Sequence, residues 1–178
     1  ASRVSGNDVL AVGLRSSYDQ SLKLSLCAGM RTLVCSNLCF ASDLINVHRK
    51  HSVGIIQKGT FYSEVQDAIK ALPAFQEAQA SRIRELCEAR LTENDAYAFI
   101  VKAVMQKVLN SKYVYDVANE FKSPSHDYGE LSAPSLYTLT QAFTTALGKN
   151  AERNPIVYAN RTMQIARLLT PAPLALSA

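Results

Sequence analysis

Two of the four cysteines, Cys35 and Cys39, stand in the apolar stretch MRTLVCSNLCF, residues 30–40. A Cys-x3-Cys pair is half of a zinc knuckle, and the other half needs a second cysteine pair or two spaced histidines. Neither follows at the usual distance, since Cys27 and Cys87 are isolated. His48 and His51 flank Arg49 and Lys50 in HRKH, and those two cations repel a divalent ion. A nucleophilic Cys35 paired with either histidine is also disfavoured, because apolar surroundings raise a thiol's pKa. The cysteines are better read as small hydrophobes in a reducing cytoplasm. Asp19, in SSYDQS, has no neighbouring acid or histidine to make it a general base, and suits a turn whose backbone it bonds. There is no Walker loop, dinucleotide-binding glycine pattern or paired-carboxylate constellation. No enzyme, cofactor or metal is therefore expected.

Arg31 and Asn37 are the polar residues that stand out in this apolar run, and if buried they must find partners. Either they bond within the sheet, Arg31 to Asp19 or Asp43, or they face a groove and contact phosphate or base. The charge distribution bears on the second possibility. Residues 1–60 hold seven Lys/Arg against three Asp/Glu, and residues 61–178 hold twelve of each, so the whole net charge of +4 lies in the first third. Such an excess fits a polyanionic partner, and equally a sheet edge guarded by cations. Tyr18 beside Arg15 and Lys23 could stack a base of a single strand, or simply occupy a hairpin turn. The nucleic-acid-binding candidates are Arg15, Tyr18, Lys23, Arg31, Asn37, Arg49, Lys50 and Lys58.

The elements that must position these residues change character along the chain. DVLAVGLRSS (8–17) and LKLSLCAGM (22–30) read as a β-hairpin, the second with period-two alternation. RTLVCSNLCF reads as the sheet's inner element and DLINVHRKH (43–51) as an alternating strand with a basic end. From about residue 60 the apolar period becomes helical, through Phe61, Val65, Ile69, Leu72, Phe75, Ile83, Leu86 and Leu91, with Pro73 kinking or dividing the segment. LTENDAYAFIVKAVMQKVL starts at a cap, Thr92 or Asn94, and runs Ala98, Val101, Met105, Val108 and Leu109 along one face. SKYVYDVANEF is a further short helix. KSPSHDYGELSAP (122–134) is a loop, a candidate for mobility or a ligand lid. Two helices follow, one with Pro134 near its first turn and Gly148 as its stop, the other with Asn154 as cap and Pro155 in its first position.

These segments predict an α+β fold: a small antiparallel sheet from residues 8–51, packed against a C-terminal group of helices. One domain is expected over 1–178, with a strand-rich basic part (1–58), a helical part (59–170) and a loose tail (171–178). The expected buried apolar residues are Leu22, Leu24, Leu26, Val34, Phe40, Leu44, Val65, Ile69, Leu86, Val101 and Met105. Hydrophobic residues make up 48% of the 178 and charged residues 19%, ordinary for a globular chain. No apolar run approaches the ~20 residues of a membrane span. The start carries no leader pattern and no initiator Met, so a piece of a longer cytoplasmic protein is expected.

GLRSSYDQSLKLSLCAGMRTLVCSNLCFASD (13–43) resembles the signature of a phage/plasmid-like protein family, a domain of unknown function from bacterial mobile genetic elements. The matching residues are Ser17, Tyr18, Asp19, Ser21, Gly29, Met30, Arg31, Val34, Cys35, Asn37 and Leu38, with HRKH after them and LYTLTQAFTTAL (136–147) near the C-terminus. The resemblance covers roughly residues 10–165, and family members usually carry further N-terminal sequence. It implies a bacterial cytoplasm and no established reaction. A more distant analogy, of element order and phage context alone, is to single-strand annealing recombinases. The expected function is non-enzymatic binding of DNA, single-stranded and by a homo-oligomer, related to annealing or recombination. The alternative is an interaction factor that acts on a host defence or replication protein through its helical half.

Overall fold

Apolar and β-branched residues such as Val9, Leu10 and Val12 favour extended backbone, and four short strands open the chain. The computed structural model describes residues 3–5, 8–15, 25–32, 38–46, 60–148 and 155–170. Strands β1 (Arg3–Ser5), β2 (Asp8–Arg15), β3 (Ser25–Thr32) and β4 (Leu38–Asn46) form an antiparallel sheet in chain order. β2 and β3 pair without interruption from Asp8–Thr32 to Arg15–Ser25. Between β3 and β4 the register shifts twice, so the partners of Arg31, Gly29, Cys27 and Ser25 are Leu38, Phe40, Asp43 and Asn46. Such bulges put one extra residue on a strand and break the period-two pattern there. MRTLVCSNLCF is thus not one inner element: Met30–Thr32 closes β3 and Leu38–Phe40 opens β4.

The remaining elements are helical. They are α1 (Thr60–Glu88), α2 (Glu93–Met105), α3 (Val114–Lys122), α4 (Leu136–Gly148) and α5 (Pro155–Leu168), with single 3₁₀ turns at Ser111–Tyr113 and Gly129–Leu131. α1 runs through Pro73 as one helix. Proline there removes a donor to the carbonyl of residue 69, and both Pro73 and Ile69 are exposed, so water can serve that carbonyl. α2 begins at a capping box: the Thr92 hydroxyl accepts from the Asp95 N–H (3.2 Å), and the Asp95 carboxylate accepts from the Thr92 N–H (3.0 Å). It ends in a Schellman turn. Lys107 has φ +58°, its N–H bonds the Val104 carbonyl, and the Val108 N–H reaches back to Ala103 (both 2.9 Å). Pro155 occupies the first position of α5. Pro134, by contrast, precedes α4 by two residues, and Gly148 is that helix's last residue rather than its stop.

α4 is the centre of the molecule. Every residue from Leu136 to Thr144 is buried, and α1, α3 and α5 pack around it. Its threonines are satisfied internally: Thr140 Oγ1 donates to the Leu136 carbonyl (2.8 Å), and Thr144 Oγ1 to those of Thr140 (3.1 Å) and Gln141 (2.9 Å). A buried hydroxyl without such a bond would cost a few kcal/mol. The buried cluster around α4 comes from helices and their connections, including Ile83, Leu86, Ile100, Val117, Phe121, Leu139, Phe143 and Ile165. Among the described strand residues, Leu10 of β2 packs against its margin.

The expected α+β class is corrected by this arrangement. The described residues are mostly helical: helices of 29, 13, 9, 13 and 14 residues stand against strands of 3, 8, 8 and 9, and the buried cluster described is built between helices, with α5 and α1 also packed on the sheet. The expected core stripe is also misplaced. Leu86 is buried and Val65 half-buried, but Ile69, Val101 and Met105 are 57%, 55% and 79% exposed. Small residues take the inward places instead, Ala68 on α1, and Ala96 and Ala103 beside Ile100 on α2. Leu22, Leu24 and Val34 lie outside the described residues.

The loop at residues 122–134 makes side-chain bonds to its own backbone and to α3. Glu120 accepts from the Ser125 N–H and hydroxyl (2.9 and 2.7 Å), and Asp127 from the Gly129 N–H (2.8 Å) and the Ser132 hydroxyl (3.1 Å). Tyr128 is buried and meets the Tyr137 ring edge-on, centroids 6.1 Å apart.

Candidate functional site

Among the described residues two places qualify as sites, the rung of the sheet that carries Arg31 and a groove between two helices. In the sheet, Leu10 is opposite Met30 and leans on the helical core. On the adjacent rung Val9 is opposite Arg31, and Arg31 is exposed. Val9 is also opposite Arg3, which places Arg3 and Arg31 two strands apart on one rung, roughly 10 Å between backbones. Arg15 pairs with Ser25 at the other end of β2, six residues and roughly 20 Å along the strand. The fold therefore does not draw Arg15 and Arg31 to a single point. Tyr18, Lys23, Asn37, Arg49, Lys50 and Lys58, with His48 and His51, lie outside the described residues. Cys39 is opposite Met30, and Cys27 opposite Asp43, so two of the cysteines stand on neighbouring strands at separate rungs.

The groove lies between α2 and α3 and encloses about 690 Å³. Ile100, 1% exposed, belongs to the core and forms its floor. Tyr97 and Val101 line it from α2; Val114, Tyr115, Ala118 and Asn119 line it from α3. Val101 and Tyr115 are 55% and 77% exposed, unusual for large side chains this close to the core. Met105 stands one helical turn beyond Val101, 79% exposed.

Lysines close both ends of the groove. Lys112 precedes α3, and its ammonium lies 4.8 Å over the Tyr113 ring. Lys122 is the last residue of α3 and pairs with Glu93 at 3.0 Å, while the Tyr97 hydroxyl reaches the same carboxylate at 3.4 Å. The bond from Glu93, then that from Tyr97, holds the Lys122 ammonium above its ordinary pKa, so it stays charged well into the alkaline range. Chemically, the groove offers an apolar trough with a cation at each end.

Sequence reasoning missed this groove and Arg3. One signal was legible: Tyr115, Asn119 and Lys122 share the polar side of a short amphipathic helix, where an exposed tyrosine has no packing reason to stand. The rest depends on how α2 and α3 meet, which no local pattern encodes. Among the described residues no group of His, Cys, Asp and Glu is placed to hold a metal ion, and no helix is long and apolar enough to cross a membrane. Comparison with known protein families, with characterised proteins and with solved structures finds no match.

Proposed function

We propose that this protein is a non-enzymatic DNA-binding factor of a phage or plasmid. It works in the bacterial cytoplasm as a homo-oligomer on single-stranded DNA, in annealing or recombination. The observation that carries the reading is the exposed Arg31 of β3, on a rung that the pairing continues through Val9 to Arg3 of β1. The whole net charge of the chain lies in the same third of the sequence. Neutralising phosphates with Lys and Arg supplies most sequence-independent affinity, and a sheet that carries cations on several strands is a surface along which a single strand can run. The resemblance of residues 13–43 to a mobile-element family supports the same setting.

The test is fluorescence anisotropy with a labelled single-stranded oligonucleotide over a salt series. Affinity should fall steeply between about 50 and 200 mM salt. Arg31→Glu should weaken binding and reduce the slope of log affinity against log salt by about one. Reversing Arg49 and Lys50 to Glu should cost at least about tenfold, with little change in melting temperature. A weak response that is flat in salt, or an unaltered slope in both variants, ends the reading.

A further inference from the structure

We infer that the groove between α2 and α3 receives an acidic amphipathic helix of another protein. The inference is independent of the nucleic-acid reading, because it rests on none of the same residues. Exposed apolar residues scattered singly need no explanation, but Val101 and Tyr115 line one trough over a buried Ile100. A trough with an apolar floor and two helical walls is the shape that takes one face of a helix, with anchors entering at spacings of three, four and seven.

Charge selects the kind of helix. The lining carries Lys112 at one end and Lys122 at the other, and no carboxylate. The two are ten residues apart, from the 3₁₀ turn before α3 to that helix's last residue, about 15 Å by helical rise, so a partner would carry its acids two to three turns apart on either side of an apolar stripe. Glu93 sits outside the lining and holds Lys122 at an exposed lip, where a partner's carboxylate can share or replace it. A second copy of this chain fits less well. Seated about a two-fold axis with the α3 helices antiparallel, it would bring Lys112 of one copy against Lys122 of the other. DNA fits less well too, since phosphates gain nothing from Ile100, Val101, Val114 and Ala118.

The experiment titrates the full chain into two fluorescent peptides, each about four turns long. Both have leucines along one face, one with glutamates flanking it and the other with lysines. The acidic peptide should bind at least about tenfold more tightly than the basic one. Val101→Asp and Tyr115→Ala should each weaken it about tenfold with circular dichroism unchanged, since both side chains are exposed. Glu93→Gln should strengthen it by freeing Lys122. Reversing Lys112 and Lys122 together to Glu should transfer the preference to the basic peptide. No saturable binding of the acidic peptide, equal binding of the two, or its displacement by a thymidine oligonucleotide overturns the inference. Self-association of the protein that Tyr115→Ala abolishes overturns it as well, in favour of a second copy.

Discussion

Arg161, on α5, donates through Nη1 to the backbone carbonyl of Val108, in the turn that ends α2. Arg82, on α1, does the same for the other end of the bundle: its Nη2 donates to the Ala166 carbonyl and to the Thr170 hydroxyl at the close of α5. Helix C-termini leave carbonyls without intrahelical partners, and a guanidinium answers both the missing donor and the negative end of the dipole. These two arginines are fastenings between elements distant in sequence. Arg161→Met keeps the apolar stem and removes the donor. It should lower unfolding free energy by about 2 kcal/mol in urea melts, and a change inside about 0.5 kcal/mol would show that water serves the Val108 carbonyl equally well.

Lys107 sits at the left-handed position of the Schellman turn, with φ +58°. A side chain there costs roughly 1 kcal/mol relative to glycine, because its Cβ crowds the neighbouring carbonyl. Lys107→Gly should therefore raise the denaturation midpoint by about 1 kcal/mol equivalent. An unchanged or lower midpoint would mean that the greater freedom of glycine in the unfolded chain cancels the relief.

The capping box gives the acid side of the stability profile a named contributor. The Thr92 hydroxyl (2.7 Å), and then its backbone N–H (3.0 Å), bond the Asp95 carboxylate and hold its pKa below the ordinary value. The folded pKa lies below the unfolded one, so the contribution is complete above the unfolded value of about 3.9 and is lost as pH falls through the folded one. The melting-temperature gap between the natural protein and Asp95→Asn should be steady from about pH 7 to 5 and should close below about pH 4. A gap that stays constant to pH 3 would remove the carboxylate's charge from the account.

The signals that could be read before the fold were those made within a few residues. Thr92 and Asp95 are a box because they are three apart, and Pro155 suits a helical start wherever that helix lies. Which face of a helix turns inward is another matter. On α1, Ala68 is buried and Ile69 exposed; on α2, Ala96 and Ala103 flank Ile100 while Val101 points out. Reading Val101 and Met105 as the core rotates α2 by about one residue, 100°, whereas on α1 Ile83 and Leu86 are buried as read and Ile69 gives its place to Ala68. The sheet resisted for a related reason. The two register shifts on β4 break the alternation that marks a strand face, and they arise from pairing with β3 rather than from β4 itself. Of the candidate site, Arg15 and Arg31 of the sheet could be singled out by charge, and Arg3 was not. The groove could not, since it exists only where two helices meet.

Ile100 and Val101 put this rotation to a direct test, because adjacent residues of similar size occupy opposite situations. Ile100 is 1% exposed, in the core and at the groove floor; Val101 is 55% exposed on the groove wall. Ile100→Ala removes buried methylenes and leaves a cavity against Phe121 and the α4 side chains of the same cluster, which should cost about 2–4 kcal/mol. Val101→Ala removes a side chain that water already touches, and should change stability by less than about 0.5 kcal/mol. Urea midpoints of the two variants, measured with a common slope, make the comparison. If Val101→Ala costs as much as Ile100→Ala, the face read from the sequence is the buried one after all, and the groove between α2 and α3 is closed rather than open.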